Sequence, residues 1–376
     1  MLQTPSLDPV LMAPMEHPLT LWQTFGEMVQ TLDISQKYCI RQPGCRDYEL
    51  SAEMIERLQT LSPDVQQRSW IYQLRSYLYG TVYNGSLRKV LAADQPAEPI
   101  ISVENDSFMG VDLQFYQRLH NSNAGEGYFD PGWQVIDQGE AGILKVKKRD
   151  LTLRIDRDRH LPSDVMGPQV GDEVAIRMPK NLVQNGFYMA VGNAGSDRPS
   201  LSTQDRSKGH GTLVRIYFNL TTNGAIALMD QLTAYLNQRC IPFSFKALYN
   251  PEDYGRHDSA VLYFNKIDFP SVRDVLQEIY PSQSSQFRED IPLFTKRLAP
   301  GLGCAEETDF KFGAQESFGL NRCHIVALGL IAGQKLETTR AKQEAIVQAF
   351  RDYDLDWQRP YLNAGSEDLY QPLNLY

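Results

Sequence analysis

The fold is decided by residues 212–266, which read TLVRIYFNLTTNGAIALMDQLTAYLNQRCIPFSFKALYNPEDYGRHDSAVLYFNK. In TLVRIYFNL, apolar residues of one parity alternate with Arg215, Tyr217 and Asn219. Because strand side chains alternate between faces, this pattern predicts a strand that projects those three side chains from one side. A helix, the strands IPFSFKALY and AVLYFNK, and a second helix, PSVRDVLQEIY, follow. Such an order of strands and helices predicts an α+β fold.

A helical region is expected before this α+β part. Two early stretches, LTLWQTFGEMVQTL and SWIYQLRSYLYGTVY, repeat apolar residues at steps of three and four, as half-buried helices do. Residues 93–132 are rich in turn formers. We therefore expect a mainly helical region over 1–130 and an α+β domain over 131–376, with a mixed or antiparallel sheet flanked by helices.

The composition excludes several classes of function. Lys plus Arg number 37 against 46 Asp plus Glu, a net charge of −9, so nucleic acid is not expected as a partner. No apolar run reaches the roughly 18–20 residues of a bilayer span, so no membrane partner is expected either. The five cysteines are widely spaced, which favours a reducing cytoplasm. The histidines lack metal-ligand spacing and no Walker A motif occurs, so neither metal nor cofactor is expected.

Cationic and aromatic side chains concentrate in SFKALYNPEDYGRHDSAVLY. Thirteen residues of this stretch contain Lys246, Tyr254, Arg256, His257 and Asp258. With Arg215 and Tyr217 from the preceding strand they form a candidate anion site, since arginines bind phosphate or carboxylate through paired N–H groups. Lys246 is a candidate base, because burial and nearby guanidinium charge both favour a neutral amine. The alternative is a surface lysine beside a Tyr–Arg–Asp network that only holds the hairpin together.

Three further segments carry charged residues of interest. In SFGLNRCHIVALGL, Arg322 falls in the first turn of a predicted helix, where a cation gains nothing from the helix dipole, so its presence suggests an anionic partner. The alternative is a capped core helix in which Arg322 pairs with Glu306 or Glu307. His210 lies in a polar loop as a candidate mobile acid or phosphate contact, although most such residues are solvated. The basic run KVKKRDLTLRIDRDRH, residues 145–160, indicates a solvated strand face, because aspartates interrupt it.

Three segments of the chain resemble the HopA-type effector family, named for a type III secreted protein of a plant pathogen. They are residues 211–269, the stretch AEETDFKFGAQESFGLNRCHIVALGL and the terminal RPYLNAGS. The specific pattern is Arg-x-Tyr-Phe-Asn, then Phe-x-x-Lys, then Tyr-x-Arg-x-Asp-x-Ala-Val-Leu-Tyr. The resemblance covers roughly residues 130–370.

The resemblance implies a catalytic role. Some HopA-like proteins act beside a kinase-like partner in making lanthionine-containing peptides, as the lyase that removes phosphate from phosphoserine or phosphothreonine. These lyases are distantly similar to phosphothreonine lyase effectors, which use a lysine base, a histidine acid and cationic phosphate contacts, with a Lys-x-His strand upstream of the base. Here Arg215-x-Tyr217 stands about thirty residues before Lys246, and Arg256 follows ten residues after it. Tyr217 is not a histidine, which leaves the general acid open between Tyr217 and His210.

On this resemblance we expect a cytoplasmic lyase that converts a phosphorylated precursor peptide into dehydroamino acids, with a kinase-like protein as a further partner. Lys246 is the expected base, with Tyr217 or His210 as acid. The expected substrate-binding side chains are Arg215, Arg256, Arg322, Tyr254, Asp258 and Asn219. One alternative is a non-catalytic HopA-like protein that binds a phosphorylated peptide or a kinase-like partner. The other is an effector delivered into a host cell, which predicts a Ser-rich N-terminal segment.

Overall fold

The computed structural model describes residues 21–93, 107–108, 110–196 and 211–375, and its mixed α+β architecture confirms the predicted fold class. The α-helices are α1 (Leu21–Thr31), α2 (Ala52–Gln59), α3 (Pro63–Leu78), α4 (Arg88–Leu91), α5 (Leu113–Ser122), α6 (Arg157–His160), α7 (Thr222–Gln238), α8 (Phe269–Gln283), α9 (Phe318–Gly333) and α10 (Thr339–Arg351). The strands are β1 (Cys39–Ile40), β2 (Tyr48–Glu49), β3 (Ser107–Phe108), β4 (Val111–Asp112), β5 (Tyr128–Gln138), β6 (Ile143–Lys148), β7 (Leu151–Asp156), β8 (Glu173–Met178), β9 (Asn181–Gln184), β10 (Phe187–Val191), β11 (Leu213–Phe218), β12 (Phe243–Leu248), β13 (Ala260–Asn265), β14 (Lys296–Ala299) and β15 (Leu302–Glu306).

The chain divides into two compact units. Unit 1 comprises Met1–Ile101 and Thr308–Ser366, and unit 2 comprises Ser102–Glu307 and Glu367–Tyr376. The helices α9 and α10 therefore belong with the early helices rather than with the sheet that precedes them. The sequence suggests a boundary near residue 130, and the domains 1–130 and 131–376 stay a prediction.

Unit 1 is built around α9, which packs against both α3 and α10. α9 and α10 approach closely at Gly329, where a Cβ atom would lie 2.5 Å from the Cα atom of Ile346, so a larger residue does not fit. α1 packs against α10, and the rings of Phe25 and Phe350 stack with centroids 6.1 Å apart. The predicted N-terminal helical region is thus present as α1 to α4.

The main sheet of unit 2 is antiparallel, and in the described chain its strand order is β14-β15-β11-β13-β12-β10-β9. One face is apolar: Val214, Ile216 and Phe218 of β11 are fully buried. α7 packs on β12 and against α8. The side chain of Thr221 caps α7 by accepting a hydrogen bond from the Gly224 N–H. The opposite face carries the polar residues that the sequence singled out.

A separate antiparallel sheet in unit 2 has the strand order β7-β6-β5-β8. It has a hydrophobic core of its own on one face, formed by Trp133, Val135, Leu144, Val146, Ile155, Leu161, Val174 and Ile176. The half-buried strands predicted around residues 151–155 and 174–178 are β7 and β8. Within the ranges that the structure describes, every helix falls short of the length and apolar character that a bilayer span requires.

A buried ion pair joins the C-terminal residues to the main sheet. Lys266 Nζ lies 2.7 Å from Glu306 Oε1 and donates to the Glu367 carbonyl at 2.7 Å. The hydroxyl of Tyr370 donates to the same Glu306 oxygen at 2.9 Å, and burial raises the pKa of this phenol. The Glu306 carboxylate is fully buried, and it accepts hydrogen bonds from both Lys266 and Tyr370, as a buried charge requires.

Candidate functional site

Lys246 and Arg215 lie on the same face of the main sheet. Arg215 of β11 stands opposite Tyr263 of β13, and Lys246 of β12 stands opposite Val261. Residues two apart in a strand share a face, so both cations flank the Tyr263 ring. Arg215 Cζ lies 5.1 Å and Lys246 Nζ lies 5.4 Å from the centroid of that ring. Both distances fall within the range of cation–π attraction.

Lys246 has a second aromatic neighbour. Its Nζ lies 4.3 Å from the ring centroid of Phe187 in β10, and the side chain is half-buried. The faces of aromatic rings attract cationic groups at such distances. The Lys246 amine therefore lies between the Phe187 and Tyr263 rings.

Arg215 forms an ion pair with Glu307. Glu307 directly follows β15, and its N–H donates to the Leu213 carbonyl at 2.7 Å, which fixes the carboxylate beside β11. The pair is largely buried, with 13% of the Arg215 and 16% of the Glu307 side chain exposed. A phosphate that binds Arg215 therefore competes with this carboxylate for the guanidinium.

Of the two candidates for the general acid, Tyr217 lies in the part of the chain that the structure describes. It stands opposite Val261 on one side of β13, and Lys246 stands opposite Val261 on the other side. Tyr217 and Lys246 therefore lie on one line across the sheet. Tyr217 is 3% exposed, so its hydroxyl lies in the interior. His210, the other candidate acid, lies in 197–210, outside the described residues.

Asn219 follows the end of β11 and is held by backbone contacts. Its N–H donates to the Gly301 carbonyl and its side-chain Nδ2 to the Asp290 carbonyl, both at 2.9 Å. Its buried Oδ1 has no hydrogen-bond partner within the described part of the chain. The Asp290 carboxylate lies 3.8 Å from Nε2 of the buried His257. Asn219 thus ties the strand end to the segment before β14 and keeps one unused acceptor.

The loop between β12 and β13 forms a network of its own. Arg256 makes a bidentate pair with Asp258, with Nε–Oδ1 at 2.5 Å and Nη2–Oδ2 at 2.9 Å. The Tyr254 hydroxyl donates to the Leu248 carbonyl at 2.8 Å, and burial raises the pKa of this phenol. The Asp258 carboxylate therefore fixes the orientation of the Arg256 guanidinium, and the same contacts hold the hairpin together. Their roles toward a substrate stay predictions.

Arg322 is enclosed by backbone acceptors in unit 1. It is 2% exposed; its Nε donates to the Pro360 carbonyl at 2.7 Å and its Nη2 to the Leu362 carbonyl at 3.1 Å. Its Nη1 donates to Asn321 Oδ1 at 2.6 Å. The first turn of α9 therefore holds a cation because carbonyl oxygens surround it.

The two glutamates considered as partners of Arg322 are engaged elsewhere. Glu306 pairs with Lys266 and Glu307 pairs with Arg215. Arg322 belongs to unit 1, whereas the other described candidate residues belong to unit 2. A role of Arg322 as a phosphate ligand stays a prediction.

The sequence does not place three residues that shape this face, Tyr263, Phe187 and Glu307, beside Lys246 and Arg215; Glu307 is considered there only as a partner of Arg322. Tyr263 lies in AVLYFNK at the parity of Val261, and strand alternation alone would have assigned it to a face. No signal in the sequence identifies the neighbours of a strand in the sheet, so the contacts of Phe187 and Glu307 required the structure.

One set of metal-type donors occurs among the described residues. Ligand atoms of Cys39, Asp47 and Glu49 lie within 4.8 Å of one another around the β1–β2 hairpin. Asp47 is already paired with Arg41 at 2.9 Å, and burial raises the pKa of the Cys39 thiol. A protonated thiol and an engaged carboxylate are poor metal ligands. We therefore interpret Cys39, Asp47 and Glu49 as structural residues of the β1–β2 hairpin.

Comparison with known proteins bears on the C-terminal half. Residues 178–362 match the HopA1 effector protein family. Among solved structures, an effector protein from Pseudomonas syringae pv. tomato strain DC3000 aligns with a TM-score of 0.41 and 15% identity over 78% of this chain and 95% of that one. An effector protein from Pseudomonas syringae pv. syringae strain 61 gives a TM-score of 0.41 and 13% identity over 78% of this chain and 96% of that one. A search of curated proteins found no match.

Proposed function

We propose, from the premise that the chain belongs to the HopA1 effector protein family through residues 178–362, that it is a phosphoserine/phosphothreonine lyase acting on a peptide. The observation that supports this most is the placement of the Lys246 amine and the Arg215 guanidinium against one Tyr263 ring. Elimination of phosphate needs a base for the α-proton and fixed positive charge for the leaving group. The two cations are suited to those two tasks.

The proposed reaction is a β-elimination. The neutral amine of Lys246 takes the α-proton, the Cα–H electron pair forms a Cα=Cβ double bond, and the Cβ–O bond breaks to release phosphate. In this proposal Arg215 holds the phosphate charge as it develops, and Tyr217 donates a proton to the leaving oxygen. The products are a dehydroamino acid in the peptide and inorganic phosphate, so neither an oxidant nor a cofactor is consumed.

Binding of the phosphate in this proposal is an exchange of anions. The carboxylate that contacts Arg215 belongs to Glu307, and a phosphate dianion carries more charge and more acceptor oxygens than a carboxylate. Phosphate therefore displaces Glu307 with a net gain in electrostatic attraction. Arg256, paired with Asp258, is a second site for the same exchange.

The test is the fate of a phosphoserine peptide incubated with purified protein and followed by mass spectrometry. The expected product has lost phosphoric acid, and Lys246→Ala is expected to abolish its formation while Lys335→Ala, at an exposed lysine of unit 1, leaves it unchanged. An added small primary amine is expected to restore part of the rate in Lys246→Ala. Release of phosphate by Lys246→Ala at the parental rate would show that the base is misassigned.

The second candidate is a non-catalytic protein that binds a phosphorylated peptide or a kinase-like partner. It is favoured by the fact that Arg215 and Arg256 each already contact a carboxylate of the protein itself. Such engaged arginines suit a surface that exchanges anions without doing chemistry. Under this alternative the phosphopeptide binds and is recovered intact, whatever residue stands at position 246. The cytoplasmic location remains a prediction in both cases.

A further inference from the structure

One face of the sheet formed by β7, β6, β5 and β8 carries a cluster of three exposed cations among acidic residues. Along β6 the exposed residues Ile143, Lys145 and Lys147 alternate with the buried Leu144 and Val146. The buried residues face the core of this sheet, so the two lysines face the other way. Arg154 of the neighbouring strand β7 is exposed as well and stands directly opposite Lys145.

This arrangement puts like charges against each other. Residues directly opposite in an antiparallel pair have their Cβ atoms about 4.5–5.5 Å apart, and like charges at that spacing are destabilising. The side chains of Lys145, Lys147 and Arg154 make no salt bridge or hydrogen bond in the part of the chain that the structure describes. Asp137 is the residue of β5 opposite Lys145, yet it forms no ion pair with it. Asp156, opposite Ile143 and two residues from Arg154, is a second acidic neighbour on this face. The three cations are therefore flanked by carboxylates but form no ion pair with them in the described part of the chain.

We propose that this patch, defined by Lys145, Lys147 and Arg154, is a docking surface for an acidic peptide in extended conformation. Same-face residues in a strand recur every two positions, about 6.8 Å apart. An extended peptide presents its own alternate side chains at the same interval, so carboxylates at every second position align with Lys145 and Lys147. Arg154 then supplies a bidentate contact beside them.

The neighbours of the patch favour a short acidic peptide over a nucleic acid. Polar Thr152 and Gln134 lie opposite Lys147 on its two sides and can donate or accept hydrogen bonds. Acidic Asp137 and Glu173 stand on the same face, and the whole chain carries a net charge of −9, so a long polyanion meets repulsion beyond the patch. Tight nucleic-acid binding uses about 6–10 phosphate contacts, which three cations do not provide.

The docking surface does not depend on the proposed lyase function. The sheet spans residues 128–178, just before the segment 178–362 that matches the family. The chain passes almost directly from this sheet to the separate main sheet, because β8 ends at Met178 and β9 begins at Asn181. Binding of a peptide to the patch is measurable whether or not any elimination occurs, so failure of one proposal is distinguishable from failure of the other.

The test uses full-length protein and a fluorescein-labelled peptide of alternating Glu and Ser, followed by fluorescence anisotropy. The acidic peptide is expected to bind weakly, with a dissociation constant of about a millimolar that rises with salt, and the matched Gln–Ser peptide is expected not to bind. Reversal of Lys145, Lys147 and Arg154 to Glu is expected to weaken binding at least about tenfold, since each exposed contact contributes modestly. The control reverses three exposed cations of unit 1 and keeps the net charge equal: Lys89, Lys335 and Arg340.

The single variant Arg154→Glu separates binding from folding. It replaces a like-charge pair with an opposite-charge pair across from Lys145, so the variant is expected to unfold no more easily than the parent while it binds the peptide less tightly. Equal loss of affinity in the control reversal, no binding by the parent protein, or preference for a single-stranded oligonucleotide of equal charge would each overturn the proposal.

Discussion

Replacement of Glu307 by Gln is expected to strengthen phosphate binding while it weakens the fold. Glu307 pairs with Arg215, with 16% and 13% of the two side chains exposed. The amide of Gln keeps the length and volume of the side chain but carries no charge. The Arg215 guanidinium therefore loses this counterion without the opening of a cavity.

The magnitude follows from the energy of a charged contact. A hydrogen bond to a charged group contributes about 1.5–3 kcal/mol. In the parent protein a phosphate must displace the Glu307 carboxylate. Removal of this carboxylate in Glu307→Gln is therefore expected to tighten phosphate binding roughly ten- to a hundredfold. Without ligand, the same change is expected to lower the free energy of unfolding by about 1–3 kcal/mol, because the largely buried guanidinium keeps its desolvation cost. The two effects have opposite signs, which general loss of structure does not reproduce.

The assay is titration calorimetry with inorganic phosphate, combined with thermal unfolding in its presence and absence. Glu278→Gln is the matched control, because Glu278 pairs with Arg239 at 3.3 Å but is 49% exposed, so little change is expected there. A Glu307→Gln protein that binds phosphate no better than the parent would refute the idea that phosphate and this carboxylate compete for Arg215.

Two further predictions concern stability. Lys266→Met leaves the fully buried Glu306 carboxylate without its cation and is expected to lower the free energy of unfolding by about 3–5 kcal/mol in urea titrations. The control is Lys296→Met, because the Lys296–Asp368 pair is about one-fifth exposed; its free energy of unfolding is expected to fall clearly less. Burial lowers the pKa of His324 to about 4, so between pH 7 and pH 5 the unfolded chain takes up a proton there and the folded protein does not. Stability is therefore expected to fall by about 2 kcal/mol over that interval, and His324→Phe is expected to remove this loss; an unchanged pH profile in that variant would contradict the assignment.

Strand parity predicted which side chains share a face within each strand of the main sheet. The alternation in TLVRIYFNL put Arg215 and Tyr217 on one side, and that in IPFSFKALY separated Lys246 from its phenylalanine neighbours. Alternation along one strand does not say which strand lies next to it. That β13 separates the strands of Arg215 and Lys246, and that Tyr263 lies between the two cations, depends on the pairing of distant segments.

The surroundings of Arg322 show the same limit of local reasoning. A cation in the first turn of a helix predicts an anion, because nearby N–H groups offer it nothing. The acceptors are the carbonyls of Pro360 and Leu362, almost forty residues further along the chain. That α9 and α10 pack with the early helices could not be predicted for the same reason. Close packing of the kind seen at Gly329 depends on contacts between segments, and the sequence of either segment alone does not reveal them.

The acceptor that each arginine already has determines how readily it can bind a phosphate. Arg215 contacts a carboxylate on a side chain that can rotate away, so a phosphate replaces one anion with another and leaves the backbone in place. Arg256 gives up a bidentate pair with Asp258, only two residues away and itself buried, so the exchange there exposes or reorders a carboxylate that has few other positions. Arg322 donates to two backbone carbonyls, and their loss would leave buried acceptors unsatisfied, which costs about 1–3 kcal/mol each. Phosphate should therefore act first at Arg215, and substitution of Arg322 should lower stability rather than phosphate affinity.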